Sequence, residues 1–507
     1  MKEIAFAPQE IGNVEDIHSY ISAKSGRKNI RIIKSFIDAR HKNDVKIIYR
    51  IDNSIPEDNE KTALPHLGKK INSVTRPVVV GFGPAGMFAG LILARYGLNP
   101  IIIEKGKAVP DREADVNSYC RENGSVNPDS NIQFGEGGAG TFSDGKLYTG
   151  VSSGLKGFIA EEFVKHGAPD DIMYDSHPHV GTDNLRNVVI GIRKEIESLG
   201  GEIRFGSNLE ALIVKEGRIK GVVTGDEEII TDMVFLGIGH SSRKTFEYLF
   251  NNNIAMENKP FAVGVRIEHL RYDIDMAQYG FDTSLYKNIS AANYKLAVDT
   301  STGKKLYTFC MCPGGVVVPA ASSAETICTN GMSYRARDAV NSNSALLIPV
   351  DPSDYGEGVL AGMRFQEKIE RNAFLTGEGK APVIRYGDLI SGKLSMPSTV
   401  TPSYARATAP SDMKDIFSAK MIETLKDGIS IMGRKIRCFS SEDAVLTAVE
   451  ARSSSPVRIL RNRETFESIS CRGLYPIGEG AGYAGGIMSS AIDGIKSANQ
   501  AVQSMVN

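Results

Sequence analysis

An apolar run, Arg76-Pro77-Val78-Val79-Val80, passes directly into Gly81-Phe82-Gly83-Pro84-Ala85-Gly86, and no other stretch of the chain constrains its fold as tightly. An apolar helix to about Tyr96 follows, then a second buried strand, Asn99-Pro100-Ile101-Ile102-Ile103-Glu104. This is a complete βαβ unit. Gly81 allows the tight turn out of the strand, Gly83 lets the backbone approach a pyrophosphate, and Gly86 lets the helix pack on the strand. Gly90 extends that close packing by one turn. The helix start offers free N–H groups and the positive end of the macrodipole. Glu104 ends the second strand roughly 20 residues on, where a carboxylate accepts hydrogen bonds from ribose hydroxyls.

The same glycine spacing recurs at Gly135 to Gly140 and Gly480 to Gly485. Neither follows an apolar strand and opens a helix leading to a second strand and an acid. Only the Gly81 match carries the full dinucleotide context.

At 507 residues the chain has room for two to four domains. A net charge of -1 gives no global field for nucleic acid or an anionic membrane. The six cysteines are scattered, without a CxxC pair or zinc spacing, so no metal site is expected. The N-terminus lacks a signal-peptide core, and no apolar run is long enough to cross a bilayer. A reduced, cytoplasmic compartment is expected.

Residues 1–72 read as a small α/β domain and linker: a helix over 14–23, strands over 30–37 and 45–51, then a polar linker over 52–73. Residues 73–257 read as the first part of the nucleotide-binding domain. In it, 182–199 is a helix with Thr182 placed as its cap. The runs 209–215, 218–223 and 228–236 form a β-meander. Residues 258–464 read as an inserted α+β substrate domain with helices near 357–374 and 413–426. Residues 465–507 return to the first domain as a strand–loop–helix. The fold class is therefore α/β, Rossmann-like, with an insertion.

The run Gly135-Glu136-Gly137-Gly138-Ala139-Gly140-Thr141-Phe142-Ser143-Asp144-Gly145-Lys146-Leu147 resembles a hallmark of the bacterial uncharacterised FAD-dependent dehydrogenases, often called NAD(FAD)-utilizing dehydrogenases. Similar matches are Gly239-His240-Ser241-Ser242-Arg243, Phe309-Cys310-Met311-Cys312-Pro313-Gly314-Gly315, Asn330-Gly331-Met332-Ser333-Tyr334, Ser454-Ser455-Pro456-Val457-Arg458 and the stretch from Gly478 to Ile487. The resemblance covers most of the chain. The order of elements is also similar to the glutathione-reductase-like class of FAD proteins. That likeness implies FAD in the βαβ unit, bound through Gly81, Gly83, Pro84, Ala85, Gly86, Glu104 and Lys105. It implies a loop over the pyrophosphate and ribityl chain at Gly138, Ala139, Gly140, Thr141, Gly145 and Lys146. It brings Gly239 and His240 near the nucleotide, and Gly478, Glu479, Gly485, Gly486 and Ile487 to the ribityl and flavin end. Glu479 stands where many relatives have Asp. The helix starting near Gly486-Ile487-Met488 would stabilise negative charge on the reduced ring.

Flavin carries the redox step, so polar groups able to face it are the candidates for chemistry. Cys310 and Cys312 form CxC: either a thiol near the flavin or two small buried hydrophobes, the latter preferred. Their spacing argues against the usual CxxC disulfide reductase. His240 is either an acid/base group or a loop histidine satisfied by backbone. Glu450 and Arg452 are either a pair for a carboxylate substrate or a structural ion pair. Arg112 and Lys146 either touch phosphate or ribityl oxygens or are only solvated. Arg243 either pairs with a phosphate or caps a helix. Lys24, Arg27, Lys28, Arg31, Lys34, Arg40, Lys42, Lys46 and Arg50 make the N-terminal unit basic, and a solvated face is preferred over an RNA surface.

The function expected first is a FAD-dependent oxidoreductase acting on a small organic substrate, with NAD(P)H or a redox partner protein as electron source. Alternatives are a flavin-dependent RNA-modifying enzyme, whose RNA binding would weaken steeply with salt, and a non-catalytic FAD-binding protein.

Overall fold

The computed structural model describes residues 1–52, 70–71, 73–121, 124–395 and 398–506. Most of the linker expected over 52–73 lies outside the described residues.

A five-stranded parallel sheet positions the candidate site. Its order is Leu474–Pro476, Val234–Leu236, Val78–Val80, Ile101–Glu104, Glu202–Phe205. The three inner strands read VVV, IIIE and VFL because both faces are covered, which alternation would not satisfy. The helix Pro84–Arg95 packs on one face and is buried from Ala85 to Ala94. The C-terminal helix Ile487–Val506 lies against it so closely that a Cβ on Gly494 would stand 2.1 Å from the Ala85 carbonyl oxygen. The chain leaves this sheet after Leu236 and rejoins it at Leu474.

Between those points it builds a seven-stranded sheet, ordered Ala297–Asp299, Lys305–Cys312, Asn341–Val350, Phe261–Leu270, Val445–Glu450, Ala381–Arg385, Thr408–Pro410. The helices Ala361–Thr376 and Ala419–Gly433 contribute to its apolar core. A separate three-stranded sheet, Ala211–Lys215, Arg218–Thr224 and Glu227–Ile230, is the meander. The run expected as one strand over 228–236 thus splits, its second half joining the parallel sheet.

The N-terminal unit has the expected helix at Ile17–Ser25 and strands at Arg31–Asp38 and Lys46–Asp52. A further strand, Lys2–Phe6, pairs with Lys46–Asp52. Its cations are partly spent at home: Arg40 pairs with Asp38, Lys46 with Asp44 and Arg50 with Glu3. No helix among the described residues is long and apolar enough to cross a membrane.

Thr182 is a correction. Gly181 occupies the cap position, and the Thr182 hydroxyl instead donates to the Thr141 carbonyl at 2.8 Å. That bond ties the helix Thr182–Ser198 to the glycine-rich loop.

Candidate active site

A cavity of about 470 Å³ opens at the C-terminal ends of the parallel strands and runs on to the seven-stranded sheet. Gly81, Gly83, Pro84 and Ala85 form one end of its wall. Gly81 takes φ +91°, and a Cβ there would stand 2.4 Å from the Gly237 carbonyl oxygen. Gly86 lies behind the wall, where a Cβ would meet the Gly81 carbonyl oxygen at 1.9 Å. Gly83 differs: its nearest foreign atom to an added Cβ is Gly138 Cα at 3.8 Å, so it faces space.

Glu104 is buried on this wall. It accepts from the backbone N–H of Phe82 at 2.8 Å, Gly106 at 2.9 Å and Gly135 at 2.9 Å. It therefore locks the first glycine turn to the second glycine loop. Lys105 also lines the cavity, paired with Asp129 and set over the Phe134 ring.

The loop from Gly135 crosses the cavity. Gly138, Ala139, Gly140, Gly145 and Lys146 line it, whereas Thr141 turns inward and donates to the Glu136 carbonyl at 3.0 Å. Arg112 is a second correction. It is fully buried behind the wall and donates to the carbonyls of Asn131, Ile132 and Glu136 at 2.7–2.9 Å. Burial pushes its guanidinium down to about 10, partly offset by Glu104 and Glu136. It braces the loop rather than reaching a ligand.

Opposite, Gly239, His240, Glu479, Gly486 and Ile487 line the cavity. Gly478 stands behind them, whereas Gly485 is exposed and outside the cavity lining. A Cβ on Gly478 would press on Ala85 Cβ at 2.6 Å, and its N–H donates to Asp493 at 2.7 Å. The Gly485 N–H donates to the Ser489 hydroxyl. His240 Nδ1 lies 3.2 Å from Glu479, while its buried Nε2 has no partner. Burial of Glu479 is outweighed by His240 and by the Gly486 N–H, so its carboxyl titrates below the usual range.

At the far end the wall carries Lys146, Phe309, Cys310, Asn330, Glu450 and Arg452. Glu450 and Arg452 are not each other's partners. Glu450 pairs with Arg266 at 3.2 Å, and Arg452 makes a two-pronged pair with Glu370 at 2.7 and 2.8 Å. Arg243 also binds Glu370 at 2.8 Å, so it neither caps its helix nor is left unpaired for a phosphate. Burial would raise Glu370, but Arg452 and Arg243 hold it down at about 2. Burial pushes Glu450 up to about 7 against the pull of Arg266, and charge on Cys310 adds to the rise.

Lys146 lies 3.4 Å from Asp144, which Arg337 holds from the other side at 2.6 Å. Burial would raise Asp144, but Lys146 and Arg337 keep it well below the usual carboxylate range. Burial works against the Lys146 charge, and Asp144 and the cysteines outweigh it. Cys312 is buried, as expected of a small hydrophobe, but Cys310 is half-buried on the cavity wall.

Sequence reasoning missed Arg266, Asp144 and Arg337. Arg266 and Glu268 are charged residues inside the otherwise apolar strand Phe261–Leu270, and that contrast was the available signal.

Residues 260–453 match the family described as FAD-dependent protein, C-terminal domain-like. Across its length the chain is 44% identical over 503 residues to an uncharacterized protein of Clostridium beijerinckii (strain ATCC 51743 / NCIMB 8052), covering 95% of this chain and 93% of that one. This chain belongs to the same family. Looser similarity exists to solved structures. CtdE in complex with FAD is 12% identical with a TM-score of 0.31, covering 83% of this chain and 82% of that one. L-amino acid deaminase from Proteus myxofaciens in complex with anthranilate is 10% identical with a TM-score of 0.35, covering 86% and 92%. Superpositions that loose say nothing of this chain's reaction.

The cavity fits FAD on its own geometry. Gly83 opens to space at a helix N-terminus, Glu104 stands at the end of the next strand, and the orphaned Nε2 of the wall residue His240 lacks a partner.

Proposed function

We propose that this chain is a FAD-dependent oxidoreductase that passes hydride between flavin and a small organic substrate, with NAD(P)H as the candidate electron donor. One observation carries the reading. A single cavity joins a glycine-lined dinucleotide end, at Gly81 and Glu104, to an end bearing Lys146, Cys310 and Glu450.

When bound, FAD supplies the two-electron chemistry. The chain's residues do the rest. Gly81 turns the chain, its N–H held by the Ile103 carbonyl, and Gly83 and the start of the helix Pro84–Arg95 bind the diphosphate through free N–H groups. Glu104 orients the ribose. The start of the helix Ile487–Val506 and its neighbour Gly486 offer partial positive charge to the ring. Lys146 orients an anionic group of the substrate. Glu450, balanced at about 7, takes up or gives a proton near neutral pH. On this reading residues 258–464 are the substrate domain.

The test is anaerobic mixing of the purified holoprotein with NADH, NADPH and a metabolite extract while flavin absorbance is followed. Rapid bleaching by one donor supports the reading. A bound flavin that no donor reduces would leave a non-catalytic FAD protein.

A further inference from the structure

Cys310 and Cys312 lie at a break in the strand Lys305–Cys312. Its pairing with Asn341–Val350 shifts register between Phe309 and Cys312, which is a bulge. Cys310 sits in that bulge at φ +42°, a left-handed conformation a side-chain-bearing residue rarely adopts. Such strain persists where the surroundings enforce it, and it clusters at functional sites.

The bulge has a chemical consequence. Alternate residues of a regular strand share a face but stand about 6.8 Å apart, the outer limit for a disulfide. Kinking the chain at Cys310 relaxes that limit. The Cys312 thiol donates to the Cys310 carbonyl oxygen at 3.4 Å. Two cations close on them. Arg266 Nη2 stands 3.6 Å from Cys312 Sγ and 2.6 Å from the Cys310 carbonyl oxygen, and Lys146 Nζ stands 3.9 Å from Cys312 Sγ. The neighbouring Cys312 side chain, with Lys146 and Arg266 behind it, outweighs burial and draws the Cys310 thiol well below its ordinary value, while Cys310 and burial drive Cys312 up. The result is one acidified thiol on the cavity wall and one buried thiol beside it, the arrangement a redox-active pair requires.

We propose that Cys310 and Cys312 are a redox-active pair that exchanges two electrons with the flavin bound in this cavity. This rests on reading the cavity as the flavin site. In the oxidising direction the Cys310 and Cys312 sulfurs join, and two S–H bonds are lost. Two electrons and one proton pass to the oxidised isoalloxazine, and the second proton passes to the Glu450 carboxylate. Run in reverse, reduced flavin opens the disulfide. The substrate class implied is a disulfide or dithiol able to exchange with Cys310, the member of the pair that faces the cavity.

The test counts electrons in the pre-oxidised holoprotein by anaerobic dithionite titration. The wild type should take up about four electrons per flavin, and Cys310→Ser and Cys312→Ser each about two. Independently, mass spectrometry of the wild type, alkylated before and after reduction, should show one disulfide joining residues 310 and 312 that opens as the flavin is reduced. About two electrons per flavin in the wild type, with both thiols alkylated throughout, would overturn the pair while leaving the flavin reading intact. A purified protein without flavin absorbance would overturn both.

Discussion

Arg266 reaches both oxygens of Glu450 at 3.2 Å from one guanidinium nitrogen, with Glu450 on the cavity wall, Arg266 behind it and both side chains buried. Breaking one member of such a pair leaves a buried charge alone and costs about 3–5 kcal/mol. Arg266→Met should therefore destabilise the fold by that order in urea unfolding, helped by loss of its bond to the Cys310 carbonyl. Adding Glu450→Met should restore much of the loss, since no carboxylate is then stranded. A double variant no more stable than Arg266→Met would show that the pair is not the source.

The parts written in local chemistry could be read directly from the sequence. Gly81, Gly86 and Glu104 stand where glycine spacing and strand pattern placed them, because backbone geometry alone demands those residues. The far end could not be read that way. Glu450 and Arg452 are two positions apart, so sequence suggested a pair, yet their partners are Arg266 and Glu370, far away in the chain. Arg112 looked like a phosphate ligand only because its carbonyl partners lie in a loop some twenty residues on. A charge inside an apolar strand can mark one member of such a pair, as at Arg266, but nothing local names its partner.

Two glycines of the same motif should separate folding from cofactor binding. Gly86→Ala places a Cβ against a backbone oxygen that cannot move cheaply, and should cost about 3 kcal/mol of stability. Gly83→Ala meets nothing closer than 3.8 Å and should leave the apoprotein within about 0.5 kcal/mol of wild type. It should still weaken FAD binding about tenfold or more, because the added methyl occupies the approach to the diphosphate. Thermal unfolding of apoprotein and flavin titration check the two arms. Equal losses in both would refute the assignment of Gly83 to the cofactor.

Two buried histidines should make the fold sensitive to acid. Burial pushes His269 down to about 4 and His179 to about 3; His269 is fully enclosed, with Nε2 on the Phe439 carbonyl and Nδ1 unpartnered. Their folded pKa values lie below the unfolded value, so the unfolded chain binds protons first. The stability they support is complete above about pH 6.5 and is lost as pH falls towards 4. Melting temperature should drop over that window, and His269→Gln should make the drop shallower. An unchanged slope in the variant would exclude His269 as a contributor.

Glu450 should act in the opposite sense. Its folded pKa of about 7 lies above the unfolded carboxyl value, so between about 4.5 and 7 the native state holds a proton that the unfolded chain has released. Stability from this residue is therefore lost as pH rises through that window. Glu450→Gln cannot titrate and should be relatively more stable at pH 7 than at pH 5, compared with wild type. The same substitution should abolish any limb near pH 7 in the rate of flavin reduction by its donor, if Glu450 handles the proton. A stability shift without loss of that limb would keep Glu450 as a buried ion-pair partner and take it out of the chemistry.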